Sequence, residues 1–448
     1  MKRLLVVAYF FPPIGGGGCQ RTLKLVRYLE PAGWASTVVT VKDPDYWILD
    51  PSLEEEVPAS CEIVRVSALT SQRLLKLLGG TGVKLEERQG RRNAAAFRAL
   101  RRLQQFVAIP DGYRAWARAA EKAAAARIAR GGIDALWTTS SPESAHLAGL
   151  ALKRRATLPW IADFRDPWVG RVTYAPPTAW HDRRHRALEE AVVAAADRVT
   201  VVSEAMAVRF RERYPALPAD RFVVLPNGYD PDDWARAALL PGADRGSAPG
   251  EEATRRFVIL HAGQLAHRPT VATLLEAARR LVEESPARRE TLRLRFMGGN
   301  EGLDAEAIAR AGLAPWPGVV ETVPSRPHLE SLRAMKRANL LVLLGHGGDA
   351  DSQIYTGKIY EYLTSGRPVL GILDPGPAAD LLGRSGQGSA CRPGDVEAVL
   401  AAIRAPLEAW ERGQIPHDFP LPAMAPAWER RTMARRAGEL LDLLVSRR

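Results

Sequence analysis

The sequence predicts an α/β protein built of two tandem, doubly wound parallel-sheet domains. Short apolar runs alternate with helical patterns almost throughout, as βαβ units require. The first apolar run, Leu4 to Phe11, leads at once into Gly15-Gly16-Gly17-Gly18 and then into a helical pattern from Arg21 to Leu29. The alternation stops between Ala235 and Arg256, where Pro, Gly, Ala and charge take over, and then restarts. At 448 residues the chain is too long for one ordinary core and suits two domains of roughly 200 residues each. The expected layout is a first domain over 1–235, a linker over 236–256, a second domain over 257–415, and a tail with a helix over 416–448.

In the first half the strands expected are Leu4–Phe10, Thr37–Val41, Ile63–Val66, Ala135–Thr139, Trp160–Asp163, Val199–Val202 and Phe222–Leu225, with helices at Ala119–Ile128, Ser144–Arg155 and Arg186–Ala196 among them. In the second half the order is strand Phe257–Leu260, helix Val271–Glu284, strand Leu292–Met297, helix Asp304–Ala311, strand Val319–Val323, helix Pro327–Arg337 and strand Leu340–Leu344. A helix at Lys358–Thr364 then precedes strand Pro368–Leu373. Ligands of such sheets bind at the carboxyl ends of the strands, so with two sheets the expected site is a cleft between them. Past a Pro-rich stretch at 416–426, Trp428 to Val445 reads as an amphipathic helix that could cross back to the first domain.

Hydrophobic content of 46% and charge of 25% are those of a soluble globular protein. Cys19, Cys61 and Cys391 are odd in number and far apart, which suggests neither a disulfide framework nor a zinc site and fits a reducing cytoplasm. Met1-Lys2-Arg3 before an apolar run imitates a signal peptide, but Pro12-Pro13 and the glycines stand where a cleavage site would be. No apolar stretch approaches the ~18 residues that cross a bilayer. Net charge is +11, and Arg73 to Arg102 holds nine basic and two acidic residues. Nucleic acid is a poor fit to that segment, which has few aromatic residues and no binding motif. A solvated helix face is one reading. An amphipathic surface for anionic lipid is the other, with Leu74, Leu75, Leu77, Leu78, Phe97, Leu100, Leu103, Phe106 and Val107 as its apolar side.

Strand, glycine loop and helix in that order let backbone N–H groups crowd a ligand and point a helix N-terminus at it, so the expected guest is an anion. The most specific segment is Thr356-Gly-Lys-Ile-Tyr-Glu-Tyr-Leu-Thr-Ser-Gly-Arg-Pro-Val-Leu370. Gly357 opens a two-turn helix with Lys358 in its first turn and Glu361 at i+3 on the same face. A phosphate at that helix start would meet free N–H groups and the ammonium together. The carboxylate one turn deeper is placed to accept two hydrogen bonds from a ribose diol. The plainer alternative is a surface Lys–Glu pair.

This segment resembles the donor-site helix of the family-4, GT-B-fold glycosyltransferases, retaining enzymes that use nucleotide-activated sugars. Glu361 and Gly366-Arg-Pro-Val369 match the second half of that family's pattern. Tyr9-Phe-Phe-Pro-Pro-Ile-Gly-Gly-Gly-Gly-Cys-Gln-Arg21 is similar to its amino-terminal loop, Pro226-Asn-Gly-Tyr-Asp230 to its interdomain segment, and Phe296-Met-Gly-Gly-Asn300 to a glycine-rich strand end. Thr138-Thr-Ser-Ser-Pro142 through His146, and Asp163-Phe-Arg-Asp-Pro-Trp168, resemble a bacterial polysaccharide-assembly branch. The resemblance implies two Rossmann-like domains facing a cleft. It also implies retaining transfer to a polysaccharide, lipid-linked or small-molecule acceptor, with the nucleotide-sugar as substrate and no other cofactor.

On that basis the donor-binding residues expected are Gly16, Gly17, Gly263, Gln264, Gly298, Gln353, Gly357 and Glu361. His146, Arg268 and Lys358 are the catalytic candidates, the two cations for the charge developing on the leaving diphosphate. His146 is a candidate for steadying the sugar ring or its hydroxyls, with a structural role as the alternative. The sequence departs from the family pattern twice. Gln353 stands where the first glutamate of the pair belongs, and Gly263-Gln264 with Arg268 replaces a Gly-Arg…Lys clamp. No metal is expected. Asp349-Ala-Asp351 has the spacing of a metal motif from a different fold, and His181-Asp-Arg-Arg-His185, with His at i and i+4, reads as a surface helix among arginines. The expected partners are a nucleotide-sugar donor and a sugar or lipid-linked acceptor, with peripheral contact to an anionic inner membrane surface and no nucleic acid. The rivals are a non-hydrolysing sugar-nucleotide epimerase and a catalytically silent binding subunit.

Overall fold

The computed structural model describes residues 1–44, 46, 48–68, 106–171, 174–240, 255–265, 270–299, 303–348, 357–414 and 419–447. They fall into two units, Met1–Pro226 with Met433–Arg448, and Asn227–Thr432.

In the first unit, β1 (Lys2–Val7), β2 (Trp34–Val41), β3 (Glu62–Val66), β4 (Ala135–Ser140), β5 (Trp160–Phe164), β6 (Arg198–Val201) and β7 (Phe222–Val224) pair in parallel, in the order β3-β2-β1-β4-β5-β6-β7. All residues of β2, β4 and β5 are buried, as in a parallel sheet covered on both faces. β1 ends three residues short of the expected Phe10, because the chain turns so that the Ile14 N–H donates to the Phe11 carbonyl at 3.1 Å. The terminal helix Arg430–Ser446 returns to this unit, as anticipated. Its Met433, Ala437 and Leu441 join the core of Leu4, Val6, Val38, Trp137 and Ile161.

The second unit carries β8 (Phe257–Ala262), β9 (Leu292–Met297), β10 (Val320–Val323), β11 (Leu340–Leu344), β12 (Val369–Ile372) and β13 (Gly388–Cys391), parallel in the order β10-β9-β8-β11-β12-β13. One core cluster includes Leu274, Leu281 and Ile403, and another includes Ile359, Tyr362 and Leu382. β13 and the helices Glu204–Arg213, Pro377–Ser385 and Val396–Glu411 are additions to the sequence reading. β13, Gly-Ser-Ala-Cys, has almost no apolar signal, and the last helix carries Pro406 in its interior.

The helix Pro231–Ala238, capped by the Asp230 carboxylate on the Asp232 N–H at 3.0 Å, belongs to the second unit. Just before it, the Tyr229 N–H donates to the Trp428 carbonyl at 3.1 Å and the Arg430 N–H donates to the Tyr229 carbonyl at 2.9 Å. A Cβ on Gly228 would lie 1.8 Å from the Trp428 oxygen, so only glycine fits there. Among the described residues no helix is long and apolar enough to cross a membrane. The basic run 73–102 lies outside the described residues.

Candidate functional site

In the second unit the sheet order reverses between β8 and β11, the switch point at which open α/β sheets bind ligands. β8 and β9 run in register as far as Ala262 beside Met297, which sets the Gly263 and Gly298 turns side by side. The Gly263 N–H donates to the Met297 carbonyl at 2.8 Å. A Cβ on Gly298 would sit 2.3 Å from the Gly263 oxygen, and Gly298 has φ +136°. Gln264 packs against Gly299, whose Cβ position is 3.4 Å from its Cγ. Arg268, Gln353, Asp349 and Asp351 lie outside the described residues.

The helix Lys358–Thr364 forms where expected, preceded by Gly357 and stopped by Gly366 at φ +79°. Tyr362 fixes it to the end of β8, its hydroxyl accepting from the Ala262 N–H at 2.8 Å. Glu361 is not the surface residue of the plainer reading, since its side chain is 11% exposed. Its Oε2 accepts from Lys358 Nζ at 3.2 Å, and its Oε1 lies 3.9 Å from His328 Nε2. His328 Nε2 is in turn 3.3 Å from Asp233 Oδ2. Burial acts to raise the Glu361 carboxyl, but Lys358, His328 and Arg430 together hold it below its ordinary value. The group is therefore an ionised, acceptor-only carboxylate at neutral pH.

In the first unit the order reverses between β1 and β4, and the glycine loop follows β1 there. Gly16, at φ +81°, caps the helix Gly17–Leu29, which has no side-chain cap and no acidic residue in its first turn. A Cβ on Gly15 would meet Ile48 Cγ2 at 2.9 Å, whereas one on Gly17 meets nothing within 4 Å. Beneath the loop, Arg165 Nη1 donates to the Gly18 carbonyl at 2.7 Å. Arg21 donates twice to Asp163, Nε to Oδ2 at 2.9 Å and Nη2 to Oδ1 at 2.7 Å. Thr139 and Thr200 add hydroxyls to the same carboxylate, at 2.8 and 2.7 Å. Burial would raise the Asp163 pKa, but Arg21 and these hydrogen bonds keep it low.

His146 opens into the core. Its ring stacks on Phe164 at 4.3 Å, and its Nδ1 shares a proton with Thr138 Oγ1 at 2.8 Å. Burial pushes its pKa down to about 3, against the opposing pull of Asp163, so the imidazole is neutral. Its Nε2 has no hydrogen-bond partner among the described residues.

His181 lies on the buried side of its helix, while Arg183, Arg184 and Arg186 are exposed. Its Nδ1 pairs with Thr178 Oγ1 at 2.8 Å and its Nε2 with the Phe106 carbonyl at 3.1 Å. His185 Nδ1 instead accepts from Trp168 Nε1 at 2.9 Å. Among the described residues no group of three or more His, Cys, Asp or Glu side chains could hold a metal ion.

Gly263, Gln264, Gly298, Gly357, Lys358 and Glu361 thus lie in the second unit and Gly16 and Gly17 in the first, where His146 is buried against Phe164 and Thr138. Asp233 and His328 beside Glu361, and Arg165 under the glycine loop, are additions. A lone histidine opening an amphipathic helix carries no local signal of the carboxylate it faces.

Residues 16–228 match the model of the glycosyl transferase 4-like domain. Sucrose-phosphate synthase from Thermosynechococcus elongatus is similar over 100% of both chains, with TM-score 0.64 and 17% identity. HepE from Anabaena in complex with UDP is similar over 99% of this chain and 100% of its own, with TM-score 0.58 and 16% identity. UDP-GlcNAc 2-epimerase from Neisseria meningitidis bound to UDP-GlcNAc covers the same shares, with TM-score 0.54 and 11% identity. No curated protein matches the chain. Residues 16–228 thus resemble a glycosyl transferase 4-like domain, within a chain that as a whole has the GT-B fold of these structural neighbours.

Proposed function

We propose that the protein is a retaining glycosyltransferase that binds its nucleotide-sugar on the second unit and its acceptor on the first. The observation that carries this reading is Glu361, a buried, ionised carboxylate beside Lys358 at the carboxyl edge of the second sheet. A ribose diol offers two hydroxyl donors to such a group. Lys358, one-third exposed at the helix start, can turn from Glu361 toward the diphosphate. Retention demands that the leaving diphosphate's developing charge be neutralised. Lys358 and Arg268 are the groups assigned to this, and Gln353 would face the transferred sugar. On the first unit Gly16 and Gly17 leave room for a phosphate or sugar. His146, neutral, offers only its unpartnered Nε2 to a hydroxyl.

No cofactor beyond the nucleotide-sugar is needed on this reading, and no metal enters the chemical step. The acceptor proposed is a lipid-linked or other sugar met at the inner face of the plasma membrane, with the basic run 73–102 toward anionic headgroups. The epimerase neighbour keeps sugar-nucleotide epimerisation as the second reading.

A thermal-shift screen of UDP, GDP and ADP with their sugars decides the donor. A ligand at a hundred times its dissociation constant stabilises by about 2.7 kcal/mol. Product analysis with the best donor should then yield a new glycoside of unchanged anomeric configuration, at the same rate in EDTA. An epimer, an inverted product or a rate restored only by manganese or magnesium would each overturn the corresponding part. Absence of any nucleotide-dependent shift would overturn the whole.

A further inference from the structure

We propose that Asp233 and His328 form a positioning pair that holds Glu361 in place for the donor ribose, an inference that rests on the donor reading above. Three separate elements meet here. Asp233 comes from the helix Pro231–Ala238, His328 opens the helix His328–Arg337, and Glu361 lies in Lys358–Thr364. The first and third are fastened by Trp234 Nε1, which donates to Thr364 Oγ1 at 3.2 Å. His328 presents one atom, Nε2, to both carboxylates, at 3.3 Å from Asp233 Oδ2 and 3.9 Å from Glu361 Oε1. The three side chains are 3%, 12% and 11% exposed.

A carboxylate that far from water needs a compensating charge. Lys358 supplies one to Oε2 and Arg430 adds another from the start of the terminal helix, while Arg236 lies 3.8 Å from Asp233. If Lys358 turns to the diphosphate when the donor binds, Glu361 loses its hydrogen-bonded cation at the moment it must grip the diol. His328, anchored by Asp233 and carried on another helix, stays. Its Nε2, 3.9 Å from Glu361 Oε1, keeps that oxygen aimed. His328 and Asp233 are positioning residues, since they act through Glu361.

The test uses the full chain, the nucleoside diphosphate with the largest thermal shift, and its 2′-deoxy analogue, titrated calorimetrically. Wild type should prefer the ribose form by about tenfold or more, the size of a hydrogen bond to a charged group. Glu361→Ala should bring the ratio near one. His328→Ala should reduce it to about threefold or less, Asp233→Asn should fall between, and His328→Gln, which keeps a donor, should recover much of it. A ratio unchanged in Glu361→Ala sinks the ribose assignment itself. A ratio lost in Glu361→Ala but kept in both His328→Ala and Asp233→Asn sinks this inference alone. Equal weakening of both ligands in His328→Ala makes the residue structural and also overturns it.

Discussion

Gly17 and Gly298 both lie at the carboxyl edge of a parallel sheet, yet the chain needs them for different reasons. A Cβ on Gly298 would press to 2.3 Å from the Gly263 oxygen in a backbone of φ +136°, so glycine there is a folding requirement. Gly298→Ala should cost on the order of 1–3 kcal/mol in a denaturant melt, through strain and clash together. A Cβ on Gly17 meets no atom within 4 Å. Gly17→Val should therefore stay within about 1 kcal/mol of wild type and still lose turnover, because its side chain fills the space assigned to phosphate or sugar. Normal turnover in Gly17→Val would return the loop to a plain turn. Gly16 is less informative, since its φ of +81° strains any substitution. Glycine-rich sequence marked both loops, but only the close approach of two strand ends shows which glycine the fold itself requires.

Among elements, the terminal helix Arg430–Ser446 has both an apolar and a charged attachment to the first unit. Leu441 is fully buried among Leu4, Trp34 and Val38. Asp442 accepts from Lys2 Nζ at 2.7 Å and from Trp34 Nε1 at 2.9 Å, and its side chain is half exposed. Leu441→Ala should destabilise by about 2–5 kcal/mol, since it removes buried methyl groups and leaves a cavity. Asp442→Asn, which keeps an acceptor for the indole and gives up only an exposed ion pair, should cost under about 1 kcal/mol. Equal losses in the two melts would mean that charge, not packing, fastens the helix. Periodicity of Met433, Leu440, Leu441 and Leu444 predicted the helix, but what it packs on could not be read from the period.

For the whole molecule, the proposed membrane contact rests on charge. Each basic residue near an anionic surface contributes on the order of 1 kcal/mol, so several hold a protein reversibly. Flotation on anionic liposomes should succeed at low salt and fail at high salt. Changing Arg91, Arg92, Arg98, Arg101 and Arg102 to Gln should abolish it. Indifference of wild type to anionic liposomes, or undiminished binding by the variant, would make a soluble acceptor the better assignment. By itself the sequence determined the alternation of strands and helices, the two-sheet architecture, and the glycine turns with the Lys358–Glu361 helix, because hydrophobic period and turn chemistry are local. Tertiary structure decided the rest. Strand order placed the glycine turns at two switch points, burial turned Glu361 from a surface pair into an ionised interior group, and packing brought Asp233 and His328, 95 residues apart in the chain, against it. Such contacts depend on how helices pack across a sheet, and no window of sequence records which side chains that packing will bring face to face.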